Sequence, residues 1–398
     1  MKERKFGFKK KAKDNGPELS KLEEKMLKIL PKEKDEDSNP RVKLYNEIVR
    51  HAMVYDVEMF SRCGVDDDGE LDRIFRYVLG DYPEIFWVEG YRYNSDGIQL
   101  TYRCVDENGN LDVKQIDRKR EALRKGAKQF TRGITKKTKP YDAVITIYRR
   151  LVLALDYDGR GLQAKVDEDI TKDDRLRSLY SAIVEHKVVC AGYAAAMQYL
   201  LQSVGISCGY VSSNRTGGSG HAFNALKIGK YCYYLDATWG DRSNTSTGDF
   251  GKNDIRYDYC CVPLREFVLT DKSQEVFHTP NSELYPDLEE FRDTNHEYFR
   301  FKKAYLVRYD EEAIVNVFAN TAETYDEKVM GSFTVGFRCH DQALARYVSS
   351  QLLNRANLDR ILDKASKKVK KKAQARNLRR ECVGVETTKA GTVYVCFK

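Results

Sequence analysis

Between His221 and Asp241 two short strand-like runs flank a two-residue turn, and that turn constrains the fold more than any other stretch. Residues 222–228 and 231–235 read as strands, and Gly229-Lys230 between them has the glycine-first composition of a tight hairpin. With that loop, Ile228 pairs with Tyr231, His221 faces Thr238, and Asp236 becomes a diagonal neighbour of His221 on the same face. Diagonal neighbours lie about 7–8 Å apart, near enough for a His–Asp side-chain hydrogen bond. A loop one residue longer or shorter reverses the parity and separates the two.

Upstream, Val188 and Val189 lead through Cys190 into a run of helix formers. Tyr193, Met197, Leu200, Leu201 and Val204 recur at helical spacing, which predicts a buried helix ended by Gly205. Cys190 then opens that helix. The unsatisfied N–H groups and the dipole there stabilise a thiolate, and they can also hold a developing oxyanion. A thiol nucleophile needs a base, and the base needs an orienting acceptor. Cys190, His221 and Asp236 can fill these roles. Taken singly, each has a bland account: a small buried cysteine, a core histidine, a strand-end aspartate. Their joint placement favours the chemical account, because each sits on the element its role requires. The loop Thr216-Gly217-Gly218-Ser219-Gly220 before His221 lacks the Gly-Lys-Ser/Thr of a phosphate loop, so nucleotide binding is not expected.

Val189-Cys190-Ala191-Gly192-Tyr193-Ala194, then His221-Ala222-Phe223-Asn224, then Asp236-Ala237-Thr238-Trp239-Gly240-Asp241 together resemble the core of the transglutaminase-like superfamily. Phe223 stands where tryptophan is common and Ala237 where proline is common. The stretch 145–157 and its continuation to Asp158 is similar to the helix and linker ahead of the family's nucleophile, and the flanks around 81–88 resemble bacterial proteins that carry this domain. The resemblance implies an α+β protein with a central papain-like, transglutaminase-like cysteine domain and smaller α/β flanking domains. It implies Cys190 as nucleophile, His221 as general base and then acid, and Asp236 as orienter. The oxyanion would meet the Cys190 amide and an upstream side-chain donor, for which Tyr157 and His186 are candidates; a core tyrosine and a surface histidine are the plainer alternatives. Trp239 either shields the pair from water or belongs to the core. The implied activity is acyl transfer on amide bonds of a peptide or protein substrate through a thioester. Water as acceptor gives a peptidase or deamidase, and an amine gives a crosslinker; water is the default in an open site. The competing expectation is a catalytically silent papain-like scaffold that binds through its basic flanking segments.

Along the chain, residues 1–40 read as a flexible arm of mixed charge with a short helix at 18–30, 41–140 as a small α/β domain, 141–300 as the catalytic domain, and 301–398 as an α+β domain with a basic helix. In the second region, helices are expected at 42–60, 71–79 and 116–130, with strands at 85–88, 98–102 and 111–113. In the last, strands are expected at 304–307 and 331–339, a helix at 311–323, a long basic helix from Asp341 broken near Asn357, and a closing hairpin of 382–385 with 392–396. The net charge of +8 is concentrated in an N-terminal cluster and in the segment 364–380. No nucleic-acid-binding motif accompanies either cluster, so nucleic acid is not an expected partner, whereas an acidic partner for the C-terminal helix stays open. Ten scattered cysteines, with no Cys-x-x-Cys and no zinc-type spacing, predict free thiols, no metal and no cofactor. No run approaches the ~18 apolar residues of a membrane span, and no apolar core follows the basic first residues, so a cytoplasmic protein is expected.

Overall fold

The protein is represented by a computed structural model that describes residues 39–158, 174–215, 221–241, 254–263, 266–267, 274–278 and 293–398. The expected helix at 18–30 and the loop 216–220 lie outside these residues. The described chain divides into two compact units, one holding the residues up to Phe75 with Trp87–Arg118, the other Arg76–Phe86 with Lys119–Lys398.

The first unit contains α1 (Pro40–Met53), the start of α2 (Asp68–Asp81), and a hairpin of β1 (Val88–Asn94) with β2 (Gly97–Tyr102). Asn39 caps α1 by accepting from the Arg41 amide, and Pro40 supplies the preset first turn. The helix stops at Met53, short of the expected residue 60, and Phe60 instead bridges to Ile98. The apolar run at 85–88 is not a strand. Ile85, Phe86 and Trp87 are buried in a turn, and pairing starts only at Val88. An apolar run signals burial, and periodicity alone cannot tell a buried turn from a strand. The expected strand at 111–113 shrinks to one bridge, Val105 to Leu111. The Asp112 carboxylate accepts from the Gln115 amide at 2.9 Å, so it caps α3 (Val113–Thr131) and turns the chain into a helix.

The second unit continues with α4 (Pro140–Ala154) and a short parallel pair, β3 (Asp156–Tyr157) with β4 (Lys187–Val188). Then come α5 (Cys190–Ser203), β5 (Cys208–Arg215), β6 (His221–Ile228), β7 (Tyr231–Leu235) and β8 (Gln274–His278). These four strands form an antiparallel sheet in the order β7-β6-β5-β8. Asn224 pins α5 to this sheet, its side-chain NH2 donating to Ala194 O at 2.9 Å and Gly209 O at 3.2 Å. A buried cluster of Val211, Phe223, Ala225, Tyr234 and Phe267 packs on this sheet and contains Phe223, which stands where the resemblance expects tryptophan.

The rest of this unit holds α6 (Tyr298–Phe301), β9 (Tyr305–Leu306), α7 (Glu311–Thr324), β10 (Thr334–Cys339), α8 (Gln342–Leu353), α9 (Arg355–Lys368), β11 (Cys382–Thr387) and β12 (Thr392–Phe397). The sheet order is β11-β12-β10-β9. The expected basic helix begins as read, with Asp341 capping α8, but it breaks at Asn354, whose side chain caps α9. Part of its charge is met within the chain: Glu311 takes Arg360 and Lys364 at 2.7 Å each, and Lys368 pairs with Glu312. A buried network joins this segment to residues 254–258. Asp258 accepts from the Tyr394 hydroxyl at 2.8 Å and the Thr388 hydroxyl at 2.7 Å, with Arg338 at 3.8 Å. No helix among the described residues is long and apolar enough to cross a membrane.

Candidate active site

Cys190 is the first residue of α5 and half-buried. The chain approaches it in extended form: Val189 has φ −101° and ψ −177°, and its amide donates to Leu176 O at 3.0 Å. Two residues in, Gly192 allows the helix to sit this close. A Cβ there would lie 2.6 Å from the Val188 side chain and 3.0 Å from Leu176 O. The helix start is therefore wedged between β4 and the 3₁₀ turn Asp174–Arg177.

His221 opens β6, and the hairpin behind it forms in the expected register, with Ile228 opposite Tyr231 and Gly229 at φ +64°. The ladder stops early. Its last pair is Asn224 with Leu235, so Thr238 does not face His221, which pairs with Ser213 on β5 instead. The chain leaves the ladder because the Asp236 amide donates to Tyr259 O at 3.0 Å. Asp236 still meets His221, now from beyond the strand end: His221 Nε2 and Asp236 Oδ2 are 2.6 Å apart. The buried carboxylate is satisfied on its other oxygen by the Trp239 amide at 3.1 Å. With Nε2 committed to Asp236, Nδ1 is the ring nitrogen left for the Cys190 thiol, which is hydrogen-bonded to His221 and receives the Ala222 amide as well.

The electrostatics follow from these contacts. Burial works against ionisation of Cys190, but the hydrogen bond and charge of His221 and the Ala222 N–H carry the thiol below its ordinary value, with Asp236 pulling the other way. Burial also disfavours a charged imidazole, yet the charge and hydrogen bond of Asp236, followed by those of Cys190, raise His221 to about 10. Both shifts favour the charged forms, the thiol lowered and the imidazole raised, with the buried Asp236 carboxylate behind the imidazole.

Around this trio, Trp239 is half-buried and stacks on His221 at 4.8 Å and 12°, while its edge contacts Tyr259. Tyr157, on β3, pairs with Val188 two residues before the thiol. Burial, then the charges of Cys190 and Asp236, push its phenol up to about 12, so it remains a donor at neutral pH. His186 is turned elsewhere. Its Nε2 lies 3.2 Å from Ile183 O, its ring packs edge-on to Phe130, and its backbone is left-handed at φ 60°. Two further tyrosines adjoin the site, Tyr210 near the thiol and Tyr148 beside the Asp236 backbone. Tyr210 on β5 is raised by burial and by the Cys190 charge, with Arg177 opposing. Tyr148 on α4 donates to Arg256 O at 2.5 Å and reaches Asp236 O at 3.4 Å, supporting the Asp236 turn from beneath. Neither sits in a recognisable motif, and β5 itself carries Gly209, Ser212, Ser213 and Asn214, which mask its strand character. Among the described residues no group of three or more His, Cys, Asp or Glu is placed to hold a metal ion.

Fold and site together define a mixed α+β protein with cysteine, histidine and aspartate brought together in that chain order. Residues 128–239 form a transglutaminase-like superfamily domain, by the match of that family's profile. Two solved structures are similar in part. One is a crystal structure described as a TGase, with 16% identity, a TM-score of 0.28 and 36% of each chain covered. The other is a proposed cysteine protease from Cytophaga hutchinsonii, with 16% identity, a TM-score of 0.23, and 44% of this chain and 54% of that one covered. The chain thus spans about a third to a half of the length of these two proteins. No curated protein matches.

Proposed function

We propose that the protein is a thiol-dependent acyl-transfer enzyme acting on amide bonds of peptides or proteins, with Cys190 as nucleophile, His221 as base and then acid, and Asp236 as orienter. The observation that carries this reading is the 2.6 Å His221–Asp236 contact behind a thiol that is itself hydrogen-bonded to His221. The thiolate sulfur attacks the amide carbonyl carbon and the carbonyl oxygen takes the charge. The Cys190 amide has no carbonyl four residues back within α5 to bond, and with the Tyr157 hydroxyl it receives the oxyanion. His221 gives its proton to the leaving nitrogen as the C–N bond breaks and the thioester forms. It then takes a proton from water, whose oxygen attacks the thioester and restores the thiolate. Trp239 lies over the imidazole and keeps the His221–Asp236 bond away from solvent.

The test is to incubate wild type and Cys190→Ala with one defined pool of peptides rich in Gln and Asn, and to read products by mass spectrometry. Shorter peptides report amide hydrolysis in the backbone, a gain of about one mass unit reports deamidation, and joined peptides report an amine acceptor. The reading expects at least one class in wild type alone. Identical pools from both proteins, with both folded, contradict it.

A further inference from the structure

A cleft of about 430 Å³ lies apart from Cys190, His221 and Asp236, lined by residues of α4, α6, α7, β10 and β12. That volume falls in the range of small-molecule sites. Its charge is one-sided. Arg149 Nε donates to the Tyr257 hydroxyl at 2.8 Å, and the guanidinium is also hydrogen-bonded to Tyr298. A guanidinium has five donors, so these two bonds leave others to face the cleft. Among the described residues no carboxylate forms an ion pair with Arg149 or Lys302. Burial and the nearby Arg149 charge hold the Lys302 ammonium below the usual lysine range, and Asp142 offsets this only in part. Glu323 is the acid among the lining residues, and its carboxylate accepts the Lys370 amide at 2.7 Å. Two cations held close together, with Asp142 offsetting them only in part, repel each other, and an anion between them removes that cost.

The rest of the cleft is aromatic. Tyr257 and Tyr298 stack at 3.7 Å and 5°, which fixes the wall on which Arg149 rests. Phe301 stands at the rim, 43% exposed, next in sequence to Lys302. A large apolar ring left in solvent beside unpaired cations fits a ligand that carries both kinds of surface.

We infer that this cleft is a binding site for a small organic anion with an aromatic body, its anionic group held by Arg149 and Lys302 and its ring against Phe301 and the tyrosine wall. The site is independent of the Cys190 chemistry. Isothermal titration of the full chain with phenyl phosphate, inorganic phosphate and phenol tests it. Phenyl phosphate binds more tightly than either part alone. Lys302→Gln and Arg149→Gln each weaken it by about tenfold or more, while Lys389→Gln on β12's far hairpin turn leaves it unchanged. Failure of folded wild type to bind phenyl phosphate at millimolar concentration overturns the inference. So does phosphate binding as tightly as phenyl phosphate, or Lys302→Gln binding as wild type does.

Discussion

Replacing Gly192 by alanine should separate the thiol from its base without touching either. The new Cβ would sit 2.6 Å from two carbons of Val188 and 3.0 Å from Leu176 O. Carbon atoms in contact prefer about 3.5–4.0 Å, so the start of α5 must move by about 1 Å or β4 must give way. Overpacking of this kind costs about 1–3 kcal/mol. Alanine's better helix propensity returns at most about 1 kcal/mol, and less in a first turn whose amides have no helical partner. The net expectation is a loss of about 1–2 kcal/mol, read as a lower urea midpoint with an unchanged slope. A displacement of about 1 Å at the nucleophile also carries a chemical cost of up to about a hundredfold. Cys190 should therefore lose most of its reactivity toward iodoacetamide at about pH 6, where an ordinary thiol of pKa about 8.5 is almost wholly protonated. Gly192→Ala that is as stable as wild type and alkylates as fast would refute the close-approach argument.

Three further outcomes are expected. Asp236→Asn removes the charge and hydrogen bond that do most to raise His221 against burial, so Cys190 alkylation at about pH 6 should fall by about tenfold or more, and an unchanged rate in folded protein counts against the orienting role. Tyr157→Phe should lower amide turnover by about 10²–10³ and leave alkylation alone, because alkylation builds no oxyanion; unaltered turnover removes Tyr157 from the mechanism. Asp258→Ala strands the buried Arg338 and two hydroxyls, Tyr394 and Thr388, so urea unfolding should show a loss of about 3–5 kcal/mol, and a loss under about 1 kcal/mol would mean that the network does not tie 254–258 to the C-terminal sheet.

The sequence carried the site better than it carried the scaffold, for a physical reason. The β6–β7 turn is local, so Gly229 and the two flanking runs were enough to set its register. The helix after Cys190 is apolar on most sides and ends in a glycine, and both signals are local too. Where the ladder ends is not local. It is set by Tyr259, far along the chain, accepting the Asp236 amide, so the hairpin register brings Asp236 toward His221 but does not show the route by which they meet. β5 and β8 went unread because their pairing, not their side chains, makes them strands. Conversely, Ile85, Phe86 and Trp87 read as a strand in sequence because their burial is legible and their lack of pairing is not. Tyr210 and Tyr148 approach the site through tertiary packing alone, from elements that share no motif with it.

The central claim is that Cys190 exists as a thiolate paired with protonated His221. It is tested most directly by the alkylation rate of every cysteine from about pH 5 to 10 in wild type and His221→Ala, read by peptide mass spectrometry beside a denatured control. In wild type Cys190 should lead the other cysteines at about pH 6, since its thiol is held below the ordinary value, and its rate should change again near pH 10, where His221 loses its proton. In His221→Ala burial is left as the main influence on the thiol, so the lead should vanish and reaction should begin only as the ordinary thiol pKa of about 8.5 is approached or passed. An accessible Cys190 that follows the same ordinary curve in both proteins would contradict the ion pair and the acyl-transfer reading built on it.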